Sequence, residues 1–301
     1  MGLEKINLNI AESISEFELA IRKFLIKRVI YKIIFRGKGL EFDSYRDFTP
    51  NDDAADIDWK ASVRANKLLI RQYTEERNLN IMFVVDVGDN MVFGSQEKLK
   101  CEYVAEMVAA LSHLIITSGD RVGFILFSDK IVKTAMPEGG MEQFNLFVDF
   151  LSRPQIYGGD SKIGNVLDYL IDYLDESINC VIFVSDFIKL NKNFLDKINL
   201  ISAKFETIAL MVKDPLDISL PDIGREIIIE DPVTKEQMVI NPRIARREYE
   251  KNAAEKEKIV IDIFKSCNVD FLRLTTDKSF VEPLANFLKE RVEKRKYMVA
   301  K

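Results

Sequence analysis

Residues 79–86 read LNIMFVVD, an unbroken apolar run that ends in an acidic residue. A run of this length and composition is typical of a parallel strand that is buried on both faces. Similar runs alternate with helical stretches along the chain: strands at 121–128, 180–186 and 206–212, and helices at 97–118, 141–152, 162–176 and 192–202. This alternation predicts an α/β domain with a mainly parallel, doubly wound sheet and helices on both faces.

The limits of the alternating pattern predict two units without a flexible linker between them. Residues 1–78 do not follow the alternation, and we expect them to form a small α+β unit. Residues 79–295 are expected to form the sheet domain. A β-hairpin at about 225–241 is inserted into that domain, because two short apolar runs flank Asp231-Pro232. Residues 296–301 are expected to be a tail.

Composition excludes several familiar classes of protein. The 301 residues include 43 Lys plus Arg and 48 Asp plus Glu, and the net charge of −5 argues against a nucleic-acid partner. The only histidine, His113, rules out an HExxH metalloprotease, and no phosphate-binding loop or Rossmann glycine motif is present. Three widely separated cysteines do not form a disulfide framework or a zinc knuckle, which favours a reducing, cytoplasmic compartment. We therefore expect no catalytic residue.

The N-terminal region contains the longest apolar stretch, FLIKRVIYKIIF at 24–35. Basic residues interrupt it, so it is too short and too charged to span a membrane. No signal-peptide cleavage pattern is expected at the N-terminus. The basic segment Arg22–Lys38 leaves peripheral contact with a membrane surface open, so cytoplasmic location has membrane association as its alternative.

Two passages resemble known families. Residues 37–53 read GKGLEFDSYRDFTPNDD, and IDWKAS at 57–62 and LIRQY at 69–73 follow. Together they resemble the signature of domain-of-unknown-function family fifty-eight. Residues 86–186 resemble the von Willebrand factor A-like domain that these proteins contain. Because the family is typically found beside MoxR-type AAA+ ATPases, the resemblance implies such an ATPase, its client proteins, or both as partners.

The resemblance also implies a metal-ion-dependent adhesion site, whose pattern is Asp-x-Ser-x-Ser, then a Thr and an Asp. Here Asp86 matches, but Gly88 and Asn90 replace the two serines, while Ser161 aligns with the threonine and Asp186 with the last acid. The implied ligands of Mg²⁺ or Mn²⁺ are Asp86, Asn90, Ser161 and Asp186, with Asp89 and Asp160 as further candidates. Glycine offers no side-chain oxygen. Weak or altered metal binding and a metal-free pseudo-site therefore both stay open.

The leading hypothesis is a non-catalytic protein-interaction module, an adaptor or cofactor of a MoxR-type AAA+ chaperone. Its partner contacts are expected in the loops at the strand ends: Asp89, Asn90, Met91, Ser128, Asp129, Gly159 and Asp160. One alternative is a metal-dependent phosphoesterase or nuclease that uses the clustered aspartates, although no histidine accompanies them. The other is a membrane-surface scaffold held through Arg22–Lys38.

Overall fold

The computed structural model describes residues 5–24, 41–49, 57–74, 78–230 and 236–299. The helices within these ranges are α1 (Ile10–Phe24), α2 (Trp59–Ala65), α3 (Lys100–Thr117), α4 (Met141–Leu151), α5 (Ile163–Tyr173), α6 (Leu195–Lys204), α7 (Pro242–Ser266) and α8 (Val281–Val299). The strands are β1 (Glu41–Asp47), β2 (Leu69–Thr74), β3 (Asn80–Asp86), β4 (Arg121–Phe127), β5 (Ile131–Glu138), β6 (Cys180–Ser185), β7 (Glu206–Lys213), β8 (Ile227–Glu230), β9 (Gln237–Ile240) and β10 (Asp270–Thr275).

The chain divides into two compact units that separate after residue 78, but residues 1–36, which were expected in the smaller unit, belong to the larger one. The smaller unit spans 37–78, and the larger one contains residues 1–36 and 79–301. Helix α1 belongs to the larger unit because Phe17, Ala20 and Ile21 are buried in its hydrophobic core. The sequence gives no sign of this packing, since it depends on residues nearly a hundred positions further along.

The smaller unit consists of the antiparallel pair β1 and β2 with α2 between them in the chain. Asp58 starts α2, because its buried carboxylate accepts hydrogen bonds of 3.0 Å from the backbone N–H groups of Lys60 and Ala61. An aspartate at this position satisfies N–H groups that have no partner inside the helix. Two parts of the family-like signature, residues 37–40 and 50–53, lie outside the described residues.

The larger unit is built on a mainly parallel six-stranded sheet, as predicted. The strand order is β10-β7-β6-β3-β4-β5, and every neighbouring pair is parallel except β4 with β5. Strand β5 therefore closes one edge of the sheet as an antiparallel strand. The predicted hairpin corresponds to β8 and β9, which pair antiparallel, while its turn at 231–235 lies outside the described residues.

Helices cover both faces of this sheet. In β3, Phe83 and Val85 lie in one hydrophobic cluster, and Met82 and Val84 lie in another. The first cluster contains side chains from α1, α3, α4 and α8, and the second contains side chains from α5, α6 and α7. The unbroken apolar composition of β3 follows from this, since successive side chains of a strand point to opposite faces.

Two predictions about the ends of the larger unit have different outcomes. Helix α8 continues to Val299, so the predicted tail at 296–301 begins inside a helix. The basic segment Arg22–Lys38 lies mostly outside the described residues, which include it only up to Phe24, so its membrane contact stays a prediction. Among the helices that the structure describes, none combines the length and apolar character needed to cross a membrane.

Candidate functional site

The carboxyl ends of the parallel strands bring several polar residues to one edge of the sheet. Strand β3 ends at Asp86, Asp186 follows β6, and Asp214 follows β7. Neighbouring parallel strands end at the same edge, and in open α/β sheets this edge is where ligands bind. All three aspartates are buried, with 1%, 1% and 0% of their surface exposed. Buried carboxylates need partners, so their hydrogen bonds define the site.

Asp86 accepts four hydrogen bonds. One oxygen accepts from the Gly88 backbone N–H at 2.9 Å. The other accepts from the Ser161 and Ser185 hydroxyls, at 2.7 Å each, and from the Asn90 amide at 3.1 Å. Burial raises the pKa of Asp86, the negative charge of Asp186 raises it further, and these hydrogen bonds oppose the rise.

The structure thus brings Asp86, Asn90 and Ser161, three of the four predicted metal ligands, into direct contact. It adds Ser185, which the sequence reasoning missed. A signal was available, because Ser185 is the last residue of a buried apolar strand and directly precedes Asp186.

Asp186 is paired with a lysine that the sequence reasoning also missed. Lys100, on the first turn of α3, donates hydrogen bonds of 2.9 Å to Asp186 Oδ2 and to Asp217 Oδ2. The side chains of Lys100 and Asp186 are each 2% exposed. Burial by itself raises the pKa of Asp186, but the charges of Lys100 and Lys213 outweigh burial and hold it below its ordinary value.

The pKa of Lys100 moves in the complementary direction. Burial lowers it, but the carboxylates of Asp186 and Asp217 outweigh burial and hold it above its ordinary value. The ammonium therefore stays protonated and the carboxylate of Asp186 stays ionised at neutral pH. The site contains a permanent cation supplied by the protein.

The third buried carboxylate, Asp214, ties the loop after β7 to the loop after β3. Asp214 accepts hydrogen bonds from the Ser95 hydroxyl at 2.6 Å, the Ser95 backbone N–H at 2.8 Å and the Thr276 hydroxyl at 3.1 Å. Its own backbone N–H donates to Asp217 at 2.9 Å. This connection holds Asp217 in position to contact Lys100.

A cavity of about 240 Å³ lies beside this pair, and its lining includes Phe187, Met211, Lys213, Asp217, Tyr249 and Val260. Lys213 is buried, which lowers its pKa, while the charges of Asp186 and Asp217 oppose that shift. Small-molecule sites usually occupy roughly 300–1,000 Å³. A volume below that range does not indicate a small-molecule substrate.

The loops that carry the predicted partner contacts are hydrogen-bonded to each other. Asp89 donates its backbone N–H to the Gly159 carbonyl at 2.8 Å, and its carboxylate accepts from the Gly159 N–H at 3.2 Å. The Ser128 carbonyl accepts from the Lys162 N–H at 3.0 Å. Asp160 forms an ion pair with Lys189. Three separate loops therefore form one surface.

The predicted partner contacts divide into buried and accessible residues. Asn90, Met91 and Ser128 are buried, so they support the loops and do not face a partner. Asp129 and Gly159 are exposed, and Asp89 and Asp160 are half-buried. A partner that docks on this surface would meet these four residues, together with the exposed Lys130, Lys162 and Lys189.

Gly88 lies in a tightly packed part of the loop after β3. A Cβ atom at this position would lie 2.6 Å from Asn90 Oδ1, 3.1 Å from Asp86 Oδ1 and 3.2 Å from the Gly159 carbonyl. Real Cβ atoms do not approach other atoms as closely as the first distance. The serine of the adhesion-site pattern therefore does not fit here unless Asn90 moves.

The donor set can be compared with what Mg²⁺ requires, which is about six oxygens in an octahedron. The oxygens of Asp86 already accept four hydrogen bonds, and Asp186 is occupied by Lys100 and by the Ile188 N–H. Asn90 Oδ1 is buried with no hydrogen-bond partner among the described residues. Within those residues, no group of three or more His, Cys, Asp or Glu side chains is placed to hold a metal ion. As arranged, the residues do not fit the ion.

Comparisons with known proteins agree with the family-like signature. The profile of a family described as "Protein of unknown function DUF58" matches residues 44–259, well over half of the chain. The chain is 26% identical over 262 residues to Uncharacterized protein Mb1516 from Mycobacterium bovis, which covers 85% of this chain and 80% of that protein.

Two solved structures show a more distant likeness. The conserved hypothetical protein BatB from Bacteroides thetaiotaomicron has a TM-score of 0.47 and 12% identity, and the match covers 71% of this chain and 99% of that chain. An aerotolerance-related membrane protein from Bacteroides fragilis has a TM-score of 0.45 and 14% identity, with 72% and 99% covered. Likenesses at this level carry no argument about function.

Proposed function

The chain belongs to the DUF58 family, and from that premise we propose that it is a non-catalytic protein-interaction module, an adaptor or cofactor of a MoxR-type AAA+ ATPase. The observation that carries the proposal is the surface formed by the loops after β3, β4 and α4, whose backbones are hydrogen-bonded to each other. Interaction surfaces are commonly built from loops that a rigid sheet holds in place. The partner is the ATPase, its client proteins, or both.

A von Willebrand factor A-like architecture for the larger unit belongs to the same proposal. The mainly parallel sheet with helices on both faces supports it, as does the meeting of Asp86, Ser161 and Asp186 at one edge. The three described cysteines are free and buried, which supports a cytoplasmic location.

The surface has mixed charge, which bears on how a partner would be recognised. Asp89, Asp129, Lys130 and Lys162 all belong to this surface, and Asp160 is paired with Lys189. Opposite charges placed around a surface favour specificity and orientation more than raw affinity, and their effect weakens with salt. We therefore expect partner binding that depends on ionic strength and on individual rim charges.

The hydrogen bonds that Asp86 and Asp186 accept from other residues of the protein disfavour the enzyme alternative. A metal-dependent phosphoesterase or nuclease would need Asp86 and Asp186 to hold metal ions. In the structure, serine and asparagine side chains donate hydrogen bonds to the Asp86 carboxylate, and Lys100 donates one to the Asp186 carboxylate. The carboxylates serve to join the loops.

The test is affinity capture by the immobilised chain from native lysate, with Mg²⁺–ATP and separately with EDTA, followed by mass spectrometry. Asp129→Lys reverses an exposed charge on the proposed surface. Glu176→Lys makes the same charge change at an exposed position before β6, at the opposite edge of the sheet. We expect wild type and Glu176→Lys to retain an AAA+ ATPase, and Asp129→Lys to retain it on the order of tenfold less.

Two results would count against the proposal. Equal retention of the ATPase by both variants would show that the partner does not contact this surface. Absence of any AAA+ ATPase among the captured proteins, with and without nucleotide, would remove the proposed partner.

A further inference from the structure

Lys100 is a charged side chain in an almost fully buried position. It is 2% exposed, and its Nζ atom lies 2.9 Å from one carboxylate oxygen of Asp186 and 2.9 Å from one of Asp217. The ring of Phe93 lies beneath it, with its centroid 5.7 Å from Nζ. A lysine is stable in such a place only when acidic partners compensate the loss of water. Removing one partner of this pair would therefore leave a buried charge uncompensated.

The charges at the sheet edge show what this lysine compensates. Asp186 and Asp217 both accept a hydrogen bond from the Lys100 ammonium. Asp86 lies close enough to Asp186 for the negative charge of Asp186 to raise its pKa. A cluster of buried carboxylates repels itself unless a cation is present. In a metal-ion-dependent adhesion site, that cation is a divalent metal ion bound from solution.

We propose that the Lys100 ammonium is the resident cation of this edge and fills the role of the metal ion in the adhesion sites that the sequence resembles. The surface formed by the strand-end loops is then complete without a metal. This inference concerns the site alone and does not require the ATPase to be the partner.

Three observations favour replacement of the metal ion by the Lys100 ammonium over the alternative, a site that still binds the metal ion but more weakly. The ammonium engages Asp186 Oδ2, and the Ile188 N–H donates to Asp186 Oδ1 at 3.1 Å, so both oxygens are in use. Gly88 contributes no oxygen, and its surroundings leave no room for a serine without a shift. A divalent ion bound by Asp186 would lie next to the ammonium and be repelled by it.

The first measurement is thermal unfolding of the wild-type chain with Mg²⁺, Mn²⁺ or EDTA at constant ionic strength. A ligand that binds only the folded state at a hundred times its Kd raises Tm by several degrees. We expect the wild-type Tm to be the same in all three conditions. Stabilisation of the wild type by either ion, lost in Asp186→Asn, would overturn the proposal.

The second measurement asks whether a metal can take over the role. Lys100→Ala removes the cation that is hydrogen-bonded to Asp186 and Asp217 and opens space between them, with Lys213 as the remaining nearby cation. We expect its Tm to fall and then to rise by several degrees with Mg²⁺ or Mn²⁺, but not with sodium chloride of equal ionic strength. Lys197→Ala is the matched control, because Lys197 pairs with Asp168 at the surface. It should respond to neither ion.

Two further outcomes complete the test. A folded Lys100→Ala variant whose Tm responds to neither ion would refute the claim that ammonium and metal ion fill one role. If Lys100→Ala does not fold, direct titration of wild type and Asp186→Asn with Mn²⁺ gives the answer. No binding by wild type supports the proposal, and binding that needs Asp186 overturns it.

Discussion

Replacement of Lys100 by methionine tests the importance of the buried ion pair to the stability of the fold. Methionine keeps most of the length of the lysine side chain and removes only the charged end. Asp186, whose side chain is 2% exposed, would then lose its hydrogen-bonded counter-charge and keep only the charge of Lys213 nearby, and Asp217, at 12%, would lose its ammonium partner as well. Removing one partner of a buried pair costs about 3–5 kcal/mol, because the remaining charge is left uncompensated.

A second route gives a similar magnitude. Lys100 donates two hydrogen bonds to charged acceptors, and each bond of this kind contributes roughly 1.5–3 kcal/mol. The total stability of a protein is about 5–15 kcal/mol. We therefore expect Lys100→Met to lose about a fifth or more of the free energy of unfolding. In Lys100→Met/Asp186→Asn, neither charge remains, so part of the loss should be recovered.

The assay is urea unfolding followed by far-ultraviolet circular dichroism, which reports the helices of the larger unit. Tryptophan fluorescence would be the wrong probe, because Trp59, the only tryptophan, belongs to the smaller unit. Lys197→Met serves as the control, since its pair with Asp168 is partly exposed and should contribute about 0–1 kcal/mol. Equal, small losses in both variants would refute the reasoning.

Two other predictions concern the same edge of the sheet. Gly88→Ser should destabilise the protein by about 1–3 kcal/mol, because its Cβ would lie 2.6 Å from Asn90 Oδ1. Thermal unfolding checks this, with Gly139→Ser as the control because a Cβ at Gly139 meets only Arg121, at 3.8 Å; equal Tm values would contradict it. The folded-state pKa of Asp186 lies below its ordinary value, so its ionisation stabilises the protein above about pH 4, and this contribution is lost as pH falls through the folded pKa. Wild type should exceed Asp186→Asn in stability at pH 7 and lose that advantage in acid, and a difference that does not change with pH would contradict this.

The strands and most helices could be predicted because buried positions carry apolar residues, and their spacing along the sequence reflects the type of element. Strand β3 is apolar at every position that packs on helices, and the predicted run at 79–86 contains the whole of Asn80–Asp86. Its position also placed Asp86 correctly at the edge where Asp186 follows the end of β6. Local pattern therefore accounts for the framework and for two residues of the site.

Lys100 could not be predicted in the same way. It lies 86 residues from Asp186 and 117 from Asp217, and nothing near it in the sequence marks it as buried. A lysine at the start of a helix is ordinarily exposed. Asp214 is different, because it closely follows an apolar run, from which only Lys213 separates it. Applying that rule to every strand would have included Asp214 in the site.

Helices α1 and α8 are far apart in the chain but are packed against each other. Phe17 of α1 lies 6.5 Å from Phe280, the residue before α8, and Lys23 forms an ion pair of 3.0 Å with Glu282. Both helices contribute to the core cluster that surrounds α3. During synthesis on the ribosome, α1 and α3 emerge long before residues 281–299. Their apolar surfaces therefore lack the packing of α8 until the end of synthesis. The larger unit thus completes its core only when α8 has been made, and a nascent chain without α8 leaves the apolar side chains of α1 and α3 that pack on it exposed to solvent.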